Sequence, residues 1–173
     1  MAFSAFGSRP RNLEKSAFFK WFGMTPAGDS LWRPKGEAFR DQVVLAAETD
    51  ADGRLSVLTL SLARAMLDEP RQAMFGRDIV KSFLEGIAGR DRHIRQLAAE
   101  IFNRAPPVPV LRGQAPQGVP QTPSAGFLTV MGELQAWSAE LSRVRIGMTN
   151  DGGRLVVRAE RKPLRGFLAR LFG

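Results

Sequence analysis

Asp50-Ala51-Asp52-Gly53 has the spacing with which a calcium loop begins, carboxylates alternating with a small residue ahead of a glycine. Two residues beyond Asp52, where an oxygen ligand belongs, stands Arg54, and the closing glutamate of such a loop is missing. The same residues are therefore expected to form a turn. His93 is the sole histidine and cysteine is absent, which excludes a zinc site of ordinary type and a thiol nucleophile. Asp68 and Glu69 could act as an acid pair, but neighbours in a chain do not face each other, and they are expected to end one element and precede the next. No phosphate-binding glycine pattern and no nucleophile-elbow serine occurs. The expectation is a protein with no catalytic residue, no metal and no cofactor, hence not an enzyme.

What remains is charge and apolar patterning. The chain of 173 residues is 44% hydrophobic, enough for a real core, and carries 25 Lys+Arg against 17 Asp+Glu, a net charge of +8. That excess makes acidic partners the natural ones: an acidic protein, anionic lipid or nucleic acid. It is concentrated at the ends. Residues 1–40 carry seven cations and three anions, and 143–173 carry eight and two, whereas 41–69 carry two and six. No stretch approaches the roughly 20 apolar residues of a membrane-spanning helix, and residues 1–9 lack the pattern of a secretory signal. A cytoplasmic protein is expected, peripheral to the inner membrane if its ends meet lipid.

Periodicity supplies the elements that must present these residues. Residues 42–48 and 55–62 read as a hairpin across the Thr49–Arg54 turn, with Leu58, Leu60 and Leu62 on one strand face. A helix starting at Leu55 and running through Leu67 is the competing reading. Over residues 77–103 the apolar period lengthens to that of a helix, broken near Gly86, Gly89 and Asp91, with Asp91 a candidate second N-cap. Residues 105–125 hold six prolines and read as a semi-extended linker. Phe127, Val130, Met131, Leu134, Trp137 and Leu141 keep helical spacing, which predicts a helix over 126–142. Residues 143–149 and 154–160, joined by Asn150-Asp151-Gly152-Gly153, make the strongest hairpin signal in the chain. The fold class expected is α+β: a small antiparallel sheet from two hairpins (42–62 and 143–160), covered by helices (77–103 and 126–142), with amphipathic terminal segments. The chain thus divides into five regions: a basic aromatic segment 1–40, a hairpin with helices 41–104, the linker 105–125, a helix and hairpin 126–162 completing the same domain, and a tail 163–173. Residues 23–35, punctuated by glycine and proline, read as a loop.

Two apolar clusters are the candidate partner- or membrane-binding residues. One is Phe18, Phe19, Trp21 and Phe22, reached after Pro10 and Asn12, which can open and cap a helix of about ten residues. The other is Phe167, Leu168, Leu171 and Phe172, with Arg165 and Arg170 as charge contacts on an amphipathic stretch. So short a helix is marginal alone and must pack on its own chain, a sister subunit, a partner or lipid. The alternative is a nucleic-acid module using Arg143, Arg145, Arg154, Arg158, Arg161 and Lys162 on the second hairpin, where Arg143 and Arg145 share a face, as do Arg154 and Arg158.

From Val43 to Leu84 the order is a strand, the Asp50–Gly53 turn, the Leu58/Leu60/Leu62 strand, then Leu67, Pro70 and a helix carrying Phe83 and Leu84. This order resembles the bacterial secretion-chaperone-like families. The resemblance implies a small cytoplasmic α+β protein that binds another protein, often as a homodimer. Those chaperones are typically acidic and lack a long proline linker, so none of their binding positions transfers. The function expected is that of a protein-binding adaptor or chaperone-like protein.

Overall fold

The computed structural model describes residues 6–88, 91–102, 123–141 and 143–162. The fold is α+β, built on a seven-stranded, wholly antiparallel sheet. Its strands are β1 (Met24–Gly28), β2 (Leu31–Pro34), β3 (Val43–Thr49), β4 (Leu55–Ala63), β5 (Ala136–Glu140), β6 (Val144–Asp151) and β7 (Arg154–Arg161), in the order β1-β2-β3-β4-β7-β6-β5. The two expected hairpins, β3/β4 and β6/β7, join through β4 and β7, where Leu58, Leu60 and Leu62 lie opposite Ala159, Val157 and Leu155. All six are fully buried. This row continues through Leu45 and Trp32 on one side and Ile146 and Met148 on the other, so the period of two places one apolar face across the sheet.

The helices pack against that face. They are α1 (Ala17–Trp21), α2 (Glu37–Arg40), α3 (Ala65–Asp68), α4 (Ala73–Ala88), α5 (Arg92–Phe102) and α6 (Ala125–Val130). Ile79, Val80, Phe83, Leu84 and Ile87 of α4 and Ile94, Leu97, Ala98 and Ile101 of α5 fill the core. Asp91 caps α5 as its sequence suggests: its Oδ1 accepts from the backbone N–H of His93 at 2.9 Å and of Ile94 at 3.3 Å. The opposite face carries Val44, Ala46, Thr59, Ser61 and Val156, all half-buried.

Four expectations are corrected. Residues 23–35 form the edge hairpin β1/β2, not a loop. Pro26 is tolerated because an edge strand leaves one row of N–H groups unpaired, and the register shifts between Pro26 and Gly28. The sheet is accordingly larger than two hairpins, and residues 24–34 of the N-terminal segment belong to it. The helix expected over 126–142 ends at Val130, because Gly132 turns the chain at φ +81°. Beyond it Trp137 and Ala139 alternate with Ser138 and Glu140 on β5; the spacing of Trp137 and Leu141 satisfies both periods, and the glycine decides between them. The expected ten-residue N-terminal helix is instead a 3-10 turn, Pro10–Lys15, followed by α1, whose N-cap is Ser16 and not Asn12. Finally, the reading of β4 as a helix running from Leu55 to Leu67 fails, since only Ala65–Asp68 is helical there. Residues 105–122 of the expected linker and the tail 163–173 lie outside the described residues.

Candidate functional site

The aromatic run near the N-terminus divides into a buried and an outward half. Phe18 and Phe19 are 6% and 3% exposed, so they are not the surface anchors their sequence suggested. α1 is a single turn and a half pressed onto the sheet, and its inward side has no other apolar residue: Phe19 meets Trp32 edge-on at 5.5 Å, and Phe18 meets Phe83 at 6.4 Å. Trp21, at the end of α1, is 76% exposed. Phe22, half-buried, stacks edge-on with Phe18 at 5.0 Å on its inner side and with Phe75 at 5.7 Å on its outer side. Phe75 in turn meets Phe39 of α2 at 5.4 Å.

The result is a ladder of rings, Phe18–Phe22–Phe75–Phe39, rising from the core to the surface where α1, α2 and the first turn of α4 converge. Trp21 and Met74 precede Phe22 and Phe75 in the chain, and Met74 is 75% exposed. Lys20 and Arg40, at the ends of α1 and α2, are exposed and form no ion pair with any described residue. Sequence reading found Trp21 and Phe22 but missed Phe39, Met74 and Phe75. A signal existed for Met74: it lies ahead of Asp78 by one helical turn, off the Ile79/Val80/Phe83/Leu84 stripe, where a large apolar residue has no internal reason to be.

The cations of the second hairpin are differently placed. Arg145 is ion-paired with Glu140, directly opposite it on β5, at 2.5 Å, and Lys162 reaches the same carboxylate at 3.2 Å. Arg158 pairs with Glu48 at 2.8 Å. Arg154 is a brace, donating to Ser61 Oγ at 2.6 Å and to the carbonyls of Asp41, Gln42 and Ser61. Arg143 is exposed, and Arg161 is half-buried beside Gly7. The hairpin therefore brings its arginines together with carboxylates of the same sheet. Arg165, Phe167, Leu168, Arg170, Leu171 and Phe172 lie outside the described residues.

The hydrogen bonds from Arg145 and Lys162, then their charges, hold the Glu140 carboxyl below its ordinary value of 4.5. A carboxylate whose folded-state pKa is depressed contributes stability above the unfolded value and loses it as pH falls through the folded one. Glu140→Gln is therefore expected to lower the unfolding midpoint in urea slightly at pH 7. The difference from the parent should vanish as the pH is taken below 4.5. A gap that persists in acid would show that Glu140 acts through packing instead of charge.

The remaining sequence candidates are accounted for locally. Asp50 Oδ1 accepts from the N–H of Asp52 and of Arg54, closing a turn in which Gly53 sits at φ +72°. Asp68 pairs with Arg64, whereas Glu69 accepts from Gln72 at 3.1 Å, so the two carboxylates serve separate partners. His93 is exposed on α5. Among the described residues no group of three or more His, Cys, Asp or Glu is placed to hold a metal ion, and no helix is long and apolar enough to cross a membrane. Fold and surface together define an antiparallel α+β sheet protein with helices on one face and an exposed aromatic corner. No family model, no curated protein and no solved structure matches the chain.

Proposed function

We propose that this protein is a non-enzymatic, chaperone-like adaptor that docks an amphipathic, acidic segment of another protein at the Trp21, Phe22, Phe39, Met74 and Phe75 corner. The observation that carries this reading is the aromatic ladder: Phe22, Phe75 and Phe39 pack ring on ring above Phe18, and the exposed Trp21 and Met74 stand next to Phe22 and Phe75 in the chain. Trp and aromatic anchors dominate binding energy at protein interfaces, and methionine adapts to varied apolar partners. Lys20 and Arg40 beside the corner, with a net charge of +8, favour carboxylates on the partner. Nucleic acid is the weaker reading, because three of the six hairpin cations are already neutralised by Glu48 and Glu140.

The test places a photo-crosslinking residue at Trp21 in one variant and at Arg145 in another, in native lysate with and without nuclease. The expected result is a discrete protein adduct at position 21 that survives nuclease. Against that isolated partner, Trp21→Ala and Met74→Ala should each weaken binding by roughly 30-fold, as for a hot spot of about 2 kcal/mol, with circular dichroism unchanged. Nuclease-sensitive adducts at position 145 with none at position 21 would overturn the proposal.

A further inference from the structure

On the core side of the sheet, helix cover runs out before the strands do. α6 has only 6 residues, and β5 is an edge strand, so a groove of about 220 Å³ opens between α5 and the β5/β6 end of the sheet. Its walls include Leu97 and Glu100 from α5, Trp137 and Ala139 from β5, Leu141 just after it, and Ile146 from β6. Trp137 and Leu141 are only half-buried, although they pack against the core. The single anionic group in the wall is imperfectly satisfied: Glu100 Oε1 accepts from Gln96 at 3.4 Å, but Oε2 is shielded from solvent and has no hydrogen-bond partner. A groove of this kind fits an apolar segment that also carries a cation.

The chain supplies such a segment at the groove's lip. The Lys162 N–H donates to the carbonyl of Arg143 at 2.9 Å, its ammonium reaches Glu140 at 3.2 Å, and the Leu141 N–H donates to Val144 at 2.9 Å. The last described residue thus stands beside Leu141, one of the groove's own lining residues. From there the sequence continues as Pro163-Leu-Arg-Gly-Phe-Leu-Ala-Arg-Leu-Phe-Gly173, with Leu164, Phe167, Leu168, Leu171 and Phe172 at helical spacing and Arg165 and Arg170 between them. A six-residue tether, the length from Lys162 to Leu168, has a reach of roughly 13 Å, and one so short gives an effective concentration of about 1 mM. Even millimolar intrinsic affinity then suffices for half occupancy.

We infer that residues 163–173 dock in cis into the groove between α5 and β5, with their leucines and phenylalanines on Leu97, Trp137 and Leu141 and an arginine answering Glu100. The segment is then an internal cover for the open edge of the core, not an anchor for lipid.

The chain contains no cysteine, so one engineered pair reports without interference. Ala139 lines the groove, whereas Ser138, the residue before it, is exposed and points to the opposite face of β5. The full chain carrying Ala139→Cys and Leu168→Cys is expected to form an intramolecular disulfide at least about tenfold faster than the chain carrying Ser138→Cys and Leu168→Cys, whose tether is equally short. Adding Phe167→Asp and Leu171→Asp to the first pair should bring its rate down to the second. Equal rates for the two pairs, or insensitivity to the two aspartates, would overturn the inference. So would disulfide-linked dimers in place of the internal bond, which would assign the groove to a second copy.

Discussion

Gly76→Ala should destabilise this protein by about 3 kcal/mol or more, although helix propensity alone says the opposite. Gly76 lies in the first turn of α4 with ordinary helical backbone, where exchanging glycine for alanine gains about 1 kcal/mol. Packing reverses the sign. A Cβ built on Gly76 would overlap the carbonyl oxygen of Met66 and stand 2.9 Å from its carbonyl carbon, with Leu67 Cδ2 at 3.2 Å. The obstacle is backbone, not the free end of a side chain, so no rotamer change relieves it. α3 would have to withdraw from α4, and Met66 and Leu67, 0% and 5% exposed, would leave their places in the core. The measurement is urea unfolding beside a control, Gly147→Ala. At Gly147 nothing lies within 4 Å of a built Cβ and φ is not positive, so the change should stay within about 0.5 kcal/mol. A Gly76→Ala protein as stable as its parent would show that α3 can withdraw from α4 without loss.

Much of this architecture is legible in the residues themselves, and the exceptions share a cause. The hairpins at 42–62 and 143–160 arise from alternation joined to turns that need positive φ, now seen at Gly53, Gly152 and Gly153. Each such element is decided by neighbours close in sequence. β1 and β2 were hidden because Pro26 and Gly28 weigh against a strand unless it lies at an edge, and edge position is set by tertiary pairing. β5 was hidden because Trp137 and Leu141, four residues apart, fit a strand as well as a helix. Gly132 ends the helix, and the pairing of Trp137 with Met148 then makes the segment a strand.

The candidate site was half legible for the same reason. A contiguous aromatic run announces an apolar cluster, but not which rings turn inward. On α1 that choice is made by Trp32 and Phe83, residues from β2 and α4 that receive Phe19 and Phe18. Phe39 and Phe75, which complete the corner, lie on separate elements and come together only when α2 and α4 meet. The arginine-rich hairpin shows the converse. Its cations were visible in the chain, but their carboxylates, Glu48 and Glu140, stand on other strands. Net charge is additive along a sequence; free charge depends on who stands opposite.

Arg64 illustrates how far such partners reach, and Arg64→Ala is expected to cost about 2–4 kcal/mol. The residue comes directly after β4, and its backbone N–H donates to Gly153 in the β6/β7 turn at 2.8 Å. Its guanidinium, 16% exposed, pairs with Asp68 of α3, donates to the Val130 carbonyl at the end of α6 at 2.7 Å, and reaches Asn150 Oδ1 of β6 at 3.2 Å. Asn150 spends its own amide on the carbonyls of Thr129 and Leu134, both at 2.8 Å. One cation therefore ties α3, α6, β4 and β6 together and satisfies a helix C-terminus, where positive charge is favoured. Alanine leaves the Val130 carbonyl and Asn150 Oδ1 without their donor. Lysine, which lacks the fork, cannot serve Asp68 and Val130 at once and should recover only part of the loss. In thermal unfolding Arg64→Ala should lower Tm by roughly 4–16 °C, taking 2–4 °C per kcal/mol for a chain of this size. A double-mutant cycle with Asn150→Ala should give a coupling of about 0.5–3 kcal/mol. Additive losses, or a Tm unchanged by Arg64→Ala, would mean that the junction is held by its backbone alone and that the guanidinium is incidental to it.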